Sequence, residues 1–312
     1  AAFFGCFLSG YLVHLYVFTN IIPNSDGLSR IFDPQQMTVS GRWFLHFASY
    51  FNGFTQMPAV IGLFSVLFLA LAAALAVSLL GIRSRALSAL SGALMAAFPA
   101  VGYTFLYLFT ASAYCFAIFL AVLSVSLARR GRWHWLAGCL LLACSMGTYQ
   151  AYVTVAIGLS LLVIFRETLD PSASFSATLR LGVRLMLFLT AGAVLYYGIL
   201  LVFLQVKDLE LLSYLGMDAA SSGYPFSRLP GLLLDTYKQV AAFFFLPGSA
   251  NTFTSGWMAV LDLAALALGG GCFLLCMGQE GLWRARWRPL GGLAMLALLP
   301  LGINFGQILS PW

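Results

Sequence analysis

Asp26, Arg30, Asp33 and Arg42 all fall within residues 20–42 of a 312-residue chain that holds only 16 Lys and Arg and 10 Asp and Glu. A connector between two hydrophobic segments needs no such set. A carboxylate can take the proton of an attacking hydroxyl, and guanidinium forks match the oxygens of a departing phosphate. The set therefore suits group transfer from a phosphate-bearing donor that a membrane presents. Asp26 is the leading base, because Gly27 behind it lets the backbone turn tightly and approach a substrate. Asp33 is the second candidate carboxylate, although Asp33-Pro34 is also a common way to open a turn. Arg30 and Arg42 are the candidate phosphate ligands. Structural readings stand beside these roles. Asp26 and Arg30 have the i, i+4 spacing of a helix-turn ion pair, and an interfacial arginine often only reaches for lipid headgroups.

The elements that must position these groups are membrane helices. Hydrophobic residues make up 61% of the chain and charged residues 8%, against about 25% charged in soluble domains. The mean hydropathy is strongly positive. Apolar runs reach the roughly 17–25 residues that a spanning helix needs, and the alternating ten-residue strands of a barrel are missing. The fold class is all-α and polytopic, with about nine spans. These are 2–22, 57–81, two from the run 86–128 (split around 99–110), two from 133–165 (broken at 147–150), 185–206, 257–276 and 289–306.

Charge supports that count. Arg83 and Arg85, then Arg129, Arg130 and Arg132, then Arg166, Arg180 and Arg184, then Arg284, Arg286 and Arg288 form four basic clusters. With nine spans and a cytoplasmic N-terminus, all four fall on the cytoplasmic side, as the positive-inside rule requires. Topology thus accounts for most of the net charge of +6, leaving nothing for a nucleic-acid partner to explain. The same arrangement puts residues 20–42, 103–110, 147–150 and 207–256 outside. No Walker loop or dinucleotide-binding glycine fingerprint occurs, so the substrate must already be activated at the outer leaflet.

Both large outer loops continue into amphipathic stretches. After Gly41, the residues Arg42, His46, Ser49, Tyr50 and Gly53 share one helical face, and Phe44, Phe47, Phe51 and Phe54 the other. From 229 to 245, Asp235, Lys238 and Gln239 oppose Leu232, Leu233 and Phe243–Phe245. These are expected to be interfacial helices, apolar side in lipid and polar side in water. His46 is placed to meet a phosphate or a sugar hydroxyl, and Tyr149 and Gln150 face the same side, with interhelical packing around Gly147 as their structural reading. Arg228 and Lys238 are secondary phosphate ligands or plain surface charges. His14 is expected to make a helix–helix hydrogen bond, and His134 sits in a basic cytoplasmic loop. Asp262, the one acid inside a later span, is a site candidate by default. The six cysteines all sit in apolar runs and read as small core residues rather than disulfides or zinc ligands.

Three motifs carry a resemblance: Asn24-Ser-Asp26-Gly-Leu28 after the first span, Ser40-Gly-Arg42-Trp43, and Gly147-Thr-Tyr-Gln-Ala-Tyr152. Together they resemble the bacterial glucosyl transferase II-like family, the phage-type O-antigen glucosyltransferases within the GT-C class of membrane glycosyltransferases. The resemblance implies a polyprenyl-phosphate-linked hexose, glucose by the family, as donor. It also implies a surface polysaccharide or glycolipid acceptor, an acid of the first outer loop as catalyst, and a site on the extracytoplasmic face of the bacterial inner membrane. Many members are expected to carry two adjacent acids, whereas here Ser25 precedes a single Asp26. Inversion at the sugar carbon follows if that one carboxylate activates the acceptor directly. No cofactor is expected, and nothing in the residues indicates a divalent cation.

The chain reads as a single membrane-embedded domain over residues 1–312. It begins at Ala1 inside hydrophobic text, which reads as a fragment truncated at one or both ends. Two rival functions remain. A lipid-linked glycan polymerase or ligase would favour a long late outer loop. A lipid-linked sugar flippase or small-solute transporter would favour mid-span charges and an internal repeat, neither of which is evident.

Overall fold

Small residues decide where the helices of this chain meet. The computed structural model describes residues 1–22, 38–52, 57–211, 228–248, 255–279 and 281–306, and these divide into two units, residues 1–159 with 184–212, and 160–183 with 213–312.

The first unit opens with α1 (Ala2–Thr19), whose buried residues are Ala2, Cys6, Gly10, His14 and Phe18. Their four-residue spacing makes one narrow stripe down the helix. Where that stripe meets α4 (Arg85–Ala97) the backbones almost touch. A side-chain carbon on Gly5 would lie 2.2 Å from the Ala89 carbonyl oxygen, and one on Gly92 would lie 2.2 Å from that of Ala2. Such close approach between small residues is the usual basis of helix pairing in lipid, where burial of apolar surface gives no drive. His14 donates from Nε2 to the Ala96 carbonyl at 2.9 Å, so it is the helix–helix tie its position suggests.

α3 (Pro58–Leu80) packs beside α1, with Gly62 lying under the Phe18 ring. α4 gives way to α5 (Pro99–Leu106) through a bend of 43°. Phe98, extended at φ −63° and ψ 134°, accounts for the bend, because the residue before a proline avoids the helical region. α6 (Leu108–Ala128) is the most enclosed helix, its buried positions dominated by Ala, Ser and Cys115. α7 (Arg132–Thr148) lies against it, tied by the Ser145 hydroxyl to the Ala117 carbonyl at 2.7 Å. α8 (Val153–Thr168) and α9 (Phe175–Val206) follow.

In the second unit, α10 (Leu229–Phe245), α11 (Gly256–Gln279) and α12 (Trp287–Ile303) join the end of α8 and the start of α9. Phe165 and Phe273 pack at 5.7 Å, above Met277 and Leu282. Arg288, only 7% exposed, donates to the carbonyls of Thr168, Asp170, Pro171 and Ala173. It closes the end of α8, whose last carbonyls have no partner within the helix.

The protein is an all-α, multi-pass membrane protein. The apolar stretches expected to span are helical over their described residues, with breaks near Tyr107 and at 149–152. Among the described residues six helices are long and apolar enough to cross a bilayer, and the bent pair α4–α5 makes a seventh. α7 and α12 have 17 residues each, about 25 Å of rise against a hydrocarbon core of about 30 Å.

The first amphipathic stretch differs from expectation. It forms a four-residue helix, α2 (Leu45–Ala48), and one 3₁₀ turn, Ser49–Asn52. Of its expected water-facing side, His46 and Tyr50 are exposed, but Arg42 and Ser49 are buried. The reason is that Leu45 and Ala48 pack on Ala113 of α6, which draws the flanking polar residues inward. The later stretch is a helix as expected, with Asp235, Lys238 and Gln239 all exposed.

All six cysteines are free, and Cys6, Cys115 and Cys139 are buried.

Candidate functional site

Two of the motifs that stand far apart in the chain are in direct contact. α7 ends at Thr148 because Tyr149 adopts an extended conformation (φ −158°, ψ 120°), and a 3₁₀ turn, Gln150–Tyr152, leads into α8. Against this break lies the turn carrying Arg42. The Gly41 amide donates to the Thr38 carbonyl at 2.9 Å, and Gly41 itself sits at φ +79°, where other L-residues are strained.

Three long-range hydrogen bonds hold the turn. The Phe44 amide donates to the Gly147 carbonyl at 2.7 Å. The Gln150 amide donates from Nε2 to the Ser40 carbonyl at 2.7 Å. The Tyr196 hydroxyl, from α9, donates to the Gly41 carbonyl at 3.0 Å. Trp43 lies over Gly147, where a Cβ would come within 2.6 Å of its ring, and stacks on Phe203 at 5.7 Å.

Arg42 is 8% exposed. Its guanidinium carbon lies 4.8 Å from the centre of the Tyr149 ring, a cation–π contact that strengthens when water is excluded. Tyr149 belongs to a triangle with Tyr114 and Tyr152, at ring separations of 5.4, 5.9 and 5.6 Å. A buried guanidinium walled by aromatic rings suits an anion bearing an organic group. The surrounding low dielectric strengthens a charge-assisted hydrogen bond, and the rings offer apolar faces.

The fates of the expected site residues differ. Arg42, Tyr149 and Gln150 come together. Gln150 spends its amide on backbone, not on open space. His46 is exposed one turn of helix away, edge-on to Tyr50 at 5.5 Å. Asp26, Arg30 and Asp33 lie outside the described residues. Arg228 and Lys238 belong to the second unit. Arg228 precedes α10 and is exposed, while Lys238 pairs with Asp235 at 3.0 Å on the surface. Among the described residues no group of three His, Cys, Asp or Glu could hold a metal.

Tyr114 and Tyr196 escaped the sequence reading. Tyr114 stands in an apolar span and Tyr196 in another beside Tyr197, and a tyrosine buried there needs a partner for its hydroxyl. That signal marks them as non-trivial without naming the partner.

No curated protein and no solved structure matches the chain. The family model described as glucosyl transferase GtrII matches residues 15–303. The match spans both the Arg42 turn and the 147–152 break that closes on it, as well as nearly all the helices around them. The chain therefore belongs to the glucosyl transferase GtrII family, and it is a hexosyltransferase.

Proposed function

We propose that this glucosyltransferase takes its hexose from a polyprenyl phosphate and delivers it to a surface polysaccharide or glycolipid outside a bacterial inner membrane. The observation that carries this reading is the meeting of Ser40–Trp43 with the 147–152 break about the buried Arg42 guanidinium. Transfer from a lipid phosphate leaves a phosphate behind, and a desolvated guanidinium is the side chain best matched to it. Asp26 acts as base on the acceptor hydroxyl, with Asp33 as the second candidate carboxylate and Arg30 as the second phosphate ligand. Direct attack of the deprotonated acceptor oxygen on the sugar carbon, opposite the departing lipid phosphate, gives inversion. His46 and Tyr149 are the proposed sugar or acceptor contacts.

The proposed topology has nine spans with the N-terminus inside. In the first unit, Arg42 sits beside the N-terminal part of α6 and the C-terminal end of α7. The basic residues Arg129, Arg130 and Arg132 stand at the opposite ends of those two helices. Arg184 joins them there, donating to the Ala128 and Arg130 carbonyls. That polarity supports an Arg42 end facing away from the cytoplasm.

The test uses membranes supplied with polyprenyl-phosphoglucose and a cell-surface acceptor. Asp26→Asn is expected to lose about 10³-fold or more in kcat, as for a lost general base in a concerted transfer. Wild-type turnover in a folded Asp26→Asn protein would remove Asp26 from the mechanism. Turnover with nucleotide-linked glucose and none with the polyprenyl donor would overturn the donor class.

A further inference from the structure

Arg42 itself lies in neither helix nor strand, and the local bonds on its backbone are two turn hydrogen bonds, from the Gly41 amide to the Thr38 carbonyl at 2.9 Å and from the Leu45 amide to the Arg42 carbonyl at 3.1 Å. Gly41 sits in the left-handed region at φ +79°, and the peptide leading into Arg42 owes its orientation to groups far away in the chain. The carbonyls of the two residues just before Arg42 accept hydrogen bonds from Gln150 and Tyr196, which are 110 and 155 residues distant. The Gln150 amide and the Tyr196 hydroxyl thus converge on adjacent carbonyls of the same turn. Both are enclosed: Tyr196 is buried and Gln150 partly so.

We propose that Gln150 and Tyr196 are positioning residues that aim the Arg42 guanidinium by clamping the Ser40 and Gly41 carbonyls. This rests on the reading that Arg42 receives the phosphate of the donor. A side chain as long as arginine amplifies any rotation of its backbone, so a freed peptide displaces the guanidinium by more than the peptide itself moves. Misplacement of a charged group by about 1 Å is enough to cost up to 10²-fold in rate. Gln150 thereby acts through Arg42 and does not touch sugar. Tyr196 enters the site from α9 by the same route.

The experiment is a double-mutant cycle in membranes with polyprenyl-phosphoglucose and acceptor, with kcat, donor KM and melting temperature measured for each variant. Tyr196→Phe keeps the ring and removes the hydroxyl, and Gln150→Met keeps the length and removes the donor. Each is expected to lower kcat about tenfold while donor KM changes less than about threefold, since the departing phosphate gains charge only in the transition state. Made in an Arg42→Lys background, the same two substitutions are expected to cost less than about twofold further, because what they aimed is already lost.

Equal factors in both backgrounds would overturn the proposal, as would a lowered melting temperature with kcat per folded molecule unchanged. Damage from Arg42→Lys with silent Tyr196→Phe and Gln150→Met would sink this inference and leave the donor reading standing. A silent Arg42→Lys would sink both.

Discussion

Arg42 and Arg288 are buried to nearly the same degree, at 8% and 7% exposure, yet they are used in opposite ways. Arg288 holds backbone: its guanidinium gathers four carbonyls, from the last residue of α8 and the loop after it, and lies against the Trp287 ring at 4.9 Å. Arg184 does the same on a smaller scale at the end of α6. At Arg42 the backbone is what is held. Gln150, Tyr196 and the Gly147 carbonyl fasten the turn, and the guanidinium is presented to the face of Tyr149. An arginine whose donors go to the carbonyls of a helix end has a structural purpose readable from its acceptors alone. At Arg42 three distant groups fasten the residues on either side, which is the basis for proposing that its side chain is aimed.

That contrast predicts different losses. Arg42→Ala is expected to lower kcat with the polyprenyl donor by about 10²–10³-fold, the scale for removing a group that stabilises developing charge. Its melting temperature should move far less than that of Arg288→Ala. For Arg288→Ala the prediction is a destabilisation of about 2–4 kcal/mol, from several charge-assisted hydrogen bonds lost and carbonyls left unpartnered. Thermal melting in detergent would show it, and turnover per folded molecule should survive. If the two variants exchanged these outcomes, the contrast would be wrong.

Packing around the turn offers the next test. Gly147→Ala drives a Cβ into the Trp43 ring at 2.6–2.8 Å and within 3.0 Å of Phe44, which should cost about 1–3 kcal/mol of stability and reduce turnover too. Gly269→Ala in α11 meets nothing within 4 Å and should instead gain about 0.5–1 kcal/mol, the ordinary advantage of alanine in a helix. Comparable losses from both would show that Gly147 is merely a helix glycine.

The smallest effect lies in the loop that Arg288 gathers. The Ser172 hydroxyl and amide donate to the Asp170 carboxylate at 2.6 and 2.9 Å. First the hydroxyl and then the amide hold Asp170 below its usual range, slight burial opposes them, and Arg166 and Arg288 add a further lowering. A carboxyl lowered on folding contributes stability that is complete above its unfolded pKa of about 3.9 and disappears as pH falls through the folded value. Ser172→Ala should therefore weaken the fall in melting temperature between about pH 5 and about pH 3. An unchanged acid limb in that variant would show that the hydroxyl does not hold Asp170 down.

The helices of this protein could be read from hydropathy, and so could their breaks. Pro99 marks the bend after α4, and the polar Thr148-Tyr-Gln150 marks the gap between α7 and α8. The partner faces could not be read in the same way. A helix surrounded by lipid and by other apolar helices has no polar side to contrast with its packed side, so periodicity is silent about which residues meet. The stretch after Gly41 misled for a related reason. Its polar residues recur at helical spacing, and spacing alone cannot tell a face turned to water from one turned towards half-buried tyrosines.

Composition and pattern alone determined that the chain lives in a membrane, where its helices start and stop, and that a charged stretch of sequence with Asp26, Arg30, Asp33 and Arg42 follows the first of them. Each of these is a property of neighbouring residues, and neighbouring residues decide partition into lipid and helix formation. Only the tertiary structure decided that Arg42 is enclosed, that Tyr149 lies under it, and that Gln150 and Tyr196 hold its backbone. Those facts depend on glycines that let helices approach and on hydrogen bonds spanning more than a hundred residues. Such contacts exist only once the bundle has assembled.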